Sequence, residues 1–196
     1  MGTGMGVRIR IAEPGDAAAV LRMFDGIVEW LVGQGRTGQW GTDLWSEAPA
    51  LVERVDGYIG RRELWVAEDG DGGLGGGEET QLLGVLAYSE KCSRYVSPPP
   101  EPELFINLLG TSRAAKGRNV GGLLLDEARA VARRRGLRLV RVDCYAGGDR
   151  KLNAWYVRQG FTEVGPFVVR RAGLEDWPGM LLAQYLEPLP GEPTSG

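Results

Sequence analysis

The chain contains no histidine in 196 residues. That absence excludes a histidine general base, a Ser-His-Asp or Cys-His nucleophile system, and histidine-ligated metal centres, and no metal is expected. Cysteine is scarce too: Cys92 and Cys144 stand far apart, in no metal-binding or redox spacing, and both are expected as reduced thiols. No apolar run reaches the roughly 18 residues of a membrane span, and Met1–Gly6 lacks the apolar core of a signal peptide. The cytoplasm is therefore the expected compartment, with no membrane partner. Nor is there an excess of positive charge: 23 basic residues face 26 acidic ones, for a net charge of -3, whereas nucleic-acid binding needs a basic face. The run Arg133–Arg135 before Gly136 reads as cations offsetting the carbonyls of a helix C-terminus.

What is present suits one domain with a sizeable core, since 43% of the residues are apolar. The domain is expected over residues 7–187, after a flexible lead-in at 1–6 and before a disordered tail at 188–196. Val7 to Ile11 alternates like a strand, and Glu13-Pro14-Gly15-Asp16 supplies a turn and cap. Ala17, Val20, Leu21, Phe24, Ile27, Val28 and Leu31 have helical spacing. A second helix is expected from about Pro49 to Ile59, then strands at 64–67 and 82–88 around a glycine-rich loop at 69–80. The proline run at 97–102 forces an extended approach to a strand at 104–109. A helix from Leu123 to Arg135 follows, then a strand at 137–143, a helix ending near Tyr156, and strands at 161–169 and 180–186.

Between the strand at 104–109 and the helix lies Lys116-Gly117-Arg118-Asn119-Val120-Gly121-Gly122. A helix start carries unpartnered N–H groups and positive dipole, and three glycines let an anion reach the bare backbone. Lys116 and Arg118 would supply counter-charge to a phosphate. Neither a P-loop nor a Rossmann turn has this spacing. The segment resembles the phosphate-binding motif of the GNAT acetyltransferase superfamily, [Gln/Arg]-x-x-Gly-x-[Gly/Ala], with Lys116, Asn119 and Gly121 in its first, fourth and sixth places. Asn119 replaces the usual glycine, and asparagine is the residue that best tolerates left-handed backbone after glycine. Downstream, Tyr156 precedes Gly160-Phe161 at the spacing of the family's second motif, with Asp149 where the family often has Asn and Asn153 as the nearer amide.

The resemblance covers roughly residues 7 to 187. It implies a mixed α/β fold, with a central six- or seven-stranded sheet whose central strands, 104–111 and 137–144, splay apart beneath helices on both faces. It implies acetyl-CoA as the donor, its diphosphate on Lys116 to Gly122 and its pantetheine arm along Leu109 and Thr111, with a main-chain N–H near Leu109 facing the thioester. Asn153 and Tyr156 would contact the donor as well. Tyr156 would protonate the departing thiolate and Glu103 would deprotonate the acceptor, with Asp43 and Glu29 as other candidates for the base. Direct acyl transfer needs no enzyme nucleophile, which suits a chain without histidine. The acceptor would be an amine of a small molecule or peptide; Trp40, Trp45, Tyr88 and Tyr95 would border its side. A non-catalytic acyl-CoA sensor and a generic nucleotide binder stand as alternatives, and the oligomeric state is open between monomer and homodimer.

Overall fold

The computed structural model describes residues 6–70, 81–171 and 175–187. Residues 1–5 of the expected lead-in, the expected tail and most of the glycine-rich loop lie outside the described residues. The chain runs β1 (Val7–Ile11), α1 (Ala17–Gly33), α2 (Pro49–Gly60), β2 (Leu64–Asp69), β3 (Leu82–Ser89), β4 (Glu103–Thr111), α3 (Val120–Arg134), β5 (Leu139–Tyr145), α4 (Lys151–Arg158), β6 (Thr162–Val169) and β7 (Trp177–Tyr185). The strands form one mixed seven-stranded sheet in the order β1-β2-β3-β4-β5-β7-β6. β4 and β5 pair parallel, whereas β1 with β2, β2 with β3, β5 with β7 and β6 with β7 pair antiparallel. No described helix is long and apolar enough to cross a membrane.

Two compact units share these elements, Met1–Tyr88 with Leu108–Leu125, and Ser89–Asn107 with Asp126–Gly196. In the first, α1 buries Val20, Leu21, Phe24, Val28 and Leu31 of its helically spaced stripe, together with Met23, while Ala17 and Ile27 of the stripe are half-buried. Each such side chain contributes about 1.5–3 kcal/mol when removed from water. They pack with Val55 and Ile59 of α2 and Leu64, Val66, Val85 and Leu108 of the sheet. At the entry to α1, the Glu13 N–H donates to Asp16 Oδ2 (2.7 Å), and both Asp16 oxygens accept from Arg10 (2.7 and 2.9 Å). In the second unit β5 lies between β4 and β7, and Leu139, Val140 and Val142 are buried.

All four helices end in the same way. The residue after each helix's last turn adopts left-handed backbone, at Gly35, Arg62, Gly136 and Gly160. The following N–H then reaches back five residues, as from Leu137 to the Ala132 carbonyl (2.9 Å). The arginines before Gly136 sit in that terminal turn of α3, where Arg134 pairs with Glu127 and Arg135 with Glu90.

Candidate active site

In the first unit, β4 leads through a tight turn into α3. Ladder pairing of β4 with β5 runs from Glu103↔Leu139 to Ile106↔Val142 and stops, although β4 continues to Thr111 and β5 to Tyr145. Past Thr111, the Ser112 N–H donates to the Leu83 carbonyl (2.9 Å) and the Ser112 hydroxyl accepts from the Ala114 N–H (3.2 Å), which fixes the start of the turn. Gly117 (φ 82°) and Asn119 (φ 52°) then both adopt left-handed backbone. Asparagine thus meets the backbone demand of the position where the family motif has glycine.

The first α3 amide to bond a carbonyl is that of Leu123, on Asn119 O (3.1 Å). The N–H groups of Val120, Gly121 and Gly122 precede it, in the positive end of the helix dipole. Val120 itself is buried and anchors the turn, while Gly122 leaves room for the Asn119 carboxamide: a Cβ there would come within 2.5 Å of Asn119 Oδ1. Lys116 is exposed and makes no ion pair among the described residues. Arg118 differs, because its guanidinium pairs with Asp69 Oδ1 at 2.5 Å. On β3, the absent side chain of Gly84 lets α3 approach closely; a Cβ there would lie 2.8 Å from Val120 and 2.9 Å from Leu124.

The second unit holds Tyr156, Asn153, Asp149 and Glu103. Tyr156 is 4% exposed, edge-on to Trp155 (4.9 Å) and to Phe161 (5.6 Å). The helix stop explains the spacing of Tyr156 to Gly160-Phe161: Gly160 (φ 91°) turns the chain, its N–H bonds the Val157 carbonyl, and the Phe161 N–H bonds the Tyr156 carbonyl (3.1 Å). Residues in those two places characteristically pack on one another. Burial, with Cys144 and Asp143 nearby, pushes the Tyr156 phenol well above its usual value. It therefore stays protonated across the neutral range, with its O–H able to donate. Asn153, one turn earlier, is 1% exposed, and neither its Oδ1 nor its Nδ2 has a hydrogen-bond partner among the described residues. Two unpartnered buried polar atoms are costly and mark a position with unused donor and acceptor capacity. Asp149 spends its carboxylate locally, on the Lys151 N–H (3.1 Å) and ammonium (2.8 Å).

Glu103 is 1% exposed, with both oxygens on Arg141: Oε2 accepts from Nε at 2.5 Å and Oε1 from Nη2 at 2.8 Å. The adjacent carboxylate raises the Arg141 guanidinium above its usual value. Arg141 Nη1 also donates to the Ser97 carbonyl (3.0 Å), tying down the approach to β4. A general base needs an oxygen able to reach a proton, and this fork-to-fork pair engages both Glu103 oxygens. Sequence reasoning missed Arg141, which stood as one of the polar residues of an alternating strand pattern and carried no local sign of its partner. Leu109 is half-buried and Thr111 exposed, at the end of β4 beyond its pairing with β5. No group of His, Cys, Asp and Glu able to hold a metal occurs among the described residues.

The family model described as Acetyltransferase (GNAT) family matches residues 38–161. No curated protein matches the sequence significantly. Among solved structures, a GNAT-family acetyltransferase from Listeria monocytogenes is similar at 21% identity and TM-score 0.67, covering 95% of this chain and 98% of its own. A ribosomal-protein-alanine N-acetyltransferase from Brucella melitensis is similar at 21% identity and TM-score 0.63, covering 91% and 99%. The protein yncA of Salmonella typhimurium, solved with its cofactor acetyl-CoA, is similar at 18% identity and TM-score 0.61, covering 97% and 99%. At these identities the likeness is one of fold.

Proposed function

Because the chain belongs to the GNAT acetyltransferase family, we propose that it is an acetyl-CoA-dependent N-acetyltransferase, moving the acetyl group directly to an amine of a small molecule or peptide. One observation supports this most. The turn from Lys116 to Gly122 combines left-handed Gly117 and Asn119 with three first-turn amides ahead of the first helical bond, which is the donor set a diphosphate requires. Lys116 supplies the counter-charge and Arg118, already engaged by Asp69, a smaller share. Leu109 and Thr111 follow the end of the β4–β5 ladder, where main-chain groups are available to an extended pantetheine arm. An N–H near Leu109 would polarise the thioester carbonyl, a contact typically worth about 3 kcal/mol in the transition state. The unused donor and acceptor of Asn153 fit an amide-bearing ligand, and supply the contact that Asp149 does not.

In the reaction, the acceptor nitrogen attacks the thioester carbonyl carbon, the C–N bond forms and the C–S bond breaks. We assign to Tyr156 the proton that the departing thiolate takes up, since burial keeps its phenol protonated. The acceptor's own proton leaves to solvent or to an exposed carboxylate such as Asp43 or Glu29, and Glu103 is assigned a structural role on account of its ion pair.

A thermal-shift comparison of acetyl-CoA, ATP and NAD tests the ligand, with stabilisation expected from acetyl-CoA alone. Acceptor-dependent thiol release tests the chemistry, and Tyr156→Phe should lower kcat at least tenfold with the KM for acetyl-CoA kept. The engagement of Glu103 by Arg141 also favours a second reading, a sensor that binds acyl-CoA without turnover. Uptake of acetyl-CoA with no thiol release for any amine would select it.

A further inference from the structure

The acyltransferase reading above leaves the acceptor open, and the packing around the end of β4 narrows it. Gly110, the neighbour of Leu109, presents bare backbone to α1: a Cβ there would come 2.7 Å from Phe24 Cε1, 2.9 Å from Phe24 Cζ and 3.4 Å from Ile27 Cδ1. Phe24 stacks on Trp45 with ring centroids 4.2 Å apart and 15° between planes. Trp40 completes the group, 5.5 Å from Phe24 and 5.3 Å from Trp45. The three rings differ in exposure. Phe24 and Trp45 are buried, so they act as supports, whereas Trp40 is half-buried and keeps part of its indole outward.

Tyr88 is buried and accepts a hydrogen bond from Trp65 Nε1 (2.9 Å), and Tyr95 lies in the other unit. Of the four rings that the sequence offered for the acceptor side, Trp40 is the one that is only half-buried and is also held in the ring group whose Phe24 lies against Gly110 of β4. The segment from Phe24 to Glu47 carries Asp25, Glu29, Asp43 and Glu47 against Arg36, with the Arg113 guanidinium seated over the Trp30 ring (4.1 Å), so carboxylates remain in excess. An indole held in place is a flat, polarisable platform that favours a stacked aromatic group, and a net acidic rim favours an ammonium.

We propose that the acceptor is a cationic amine borne on a flat aromatic group, whose ring packs against Trp40 and whose ammonium is drawn by the carboxylates of α1 and of the α1–α2 connection. The test measures thiol release from acetyl-CoA by the full chain with 2-phenylethylamine and tryptamine, against propylamine and putrescine. The aryl amines should show kcat/KM at least tenfold above the alkyl amines. Trp40→Leu, which keeps apolar volume and removes the ring, should shrink that ratio about tenfold through KM for the aryl amine, and Trp40→Phe should restore most of it. Should Trp40→Leu fail to fold, the wild-type ratio and Trp40→Phe still decide. Turnover of alkyl amines as good as that of aryl amines, or a ratio unmoved in Trp40→Leu, overturns the proposal while the donor reading stands. If acetyl-CoA gives neither a melting shift nor thiol release, the acyltransferase reading falls and this proposal with it.

Discussion

Replacing Glu103 by Gln keeps the shape of the side chain but leaves Arg141 charged, buried and without its carboxylate. The side chains of the two residues are 1% and 5% exposed, and two short charge-assisted hydrogen bonds join them. Breaking such a pair from one side costs about 3–5 kcal/mol. Gln can still accept one hydrogen bond from the guanidinium, so about 3 kcal/mol is the appropriate figure. For a chain of this size that lowers the melting midpoint by roughly 6–12 °C. The double variant Glu103→Leu with Arg141→Met removes both charges and should recover most of the loss, because apolar replacement of a whole buried pair is often neutral. Differential scanning calorimetry reads the midpoint, and thiol release measured well below it reads kcat. A structural Glu103 predicts a large fall in midpoint with kcat near wild type. If Glu103→Gln kept its midpoint and lost kcat a hundredfold or more, Glu103 would be the base after all and the reasoning from its ion pair would be refuted.

Three further outcomes can be measured. Lys116→Ala removes the exposed cation of the phosphate turn, a loss of about 1.5–3 kcal/mol of charge-assisted contact, so KM for acetyl-CoA should rise roughly 10- to 100-fold in steady-state kinetics with little change in melting midpoint. Hydrogen bonds from Arg10 hold the Asp16 carboxyl below its usual value; this depressed group contributes stability above its unfolded value near 3.8, and that stability is lost as pH falls through the folded value. Urea titrations should therefore show Asp16→Asn losing about 1 kcal/mol at neutral pH, after allowance for solvent screening, and converging with wild type as pH falls through the folded value of the Asp16 carboxyl. Burial pushes the Cys144 thiol up to about 12, whereas Cys92 is only half-buried. Iodoacetamide at pH 8 should thus label Cys92 and spare Cys144 in the native protein, and peptide mass spectrometry showing equal labelling would contradict that.

The order of strands and helices was legible because local rules set it. The stripe from Ala17 to Leu31 could bury one face only as a helix, and Gly136 and Gly160 could stop α3 and α4 because left-handed backbone costs glycine nothing. The phosphate turn was legible for the same reason: its backbone demands at Gly117 and Asn119 are met by residue type within seven positions. The spacing of Tyr156 to Gly160-Phe161 was legible as well, but it is a helix stop with its customary packing, so the spacing alone could not establish a chemical role.

Pairings across the chain were not legible. Glu103 and Arg141 are 38 positions apart, and only the parallel register of β4 on β5 brings one carboxylate and one guanidinium together in the interior. Asp69 on Arg118, Phe24 on Gly110 and the support of Trp40 by Trp45 are likewise contacts between segments with no local signature. The sequence by itself determined the elements, their stops and the bare helix start, since each depends on backbone preferences within a few residues. Tertiary structure alone decided which charges are spent on one another and which ring is left facing outward, because burial and partnership are properties of position in space.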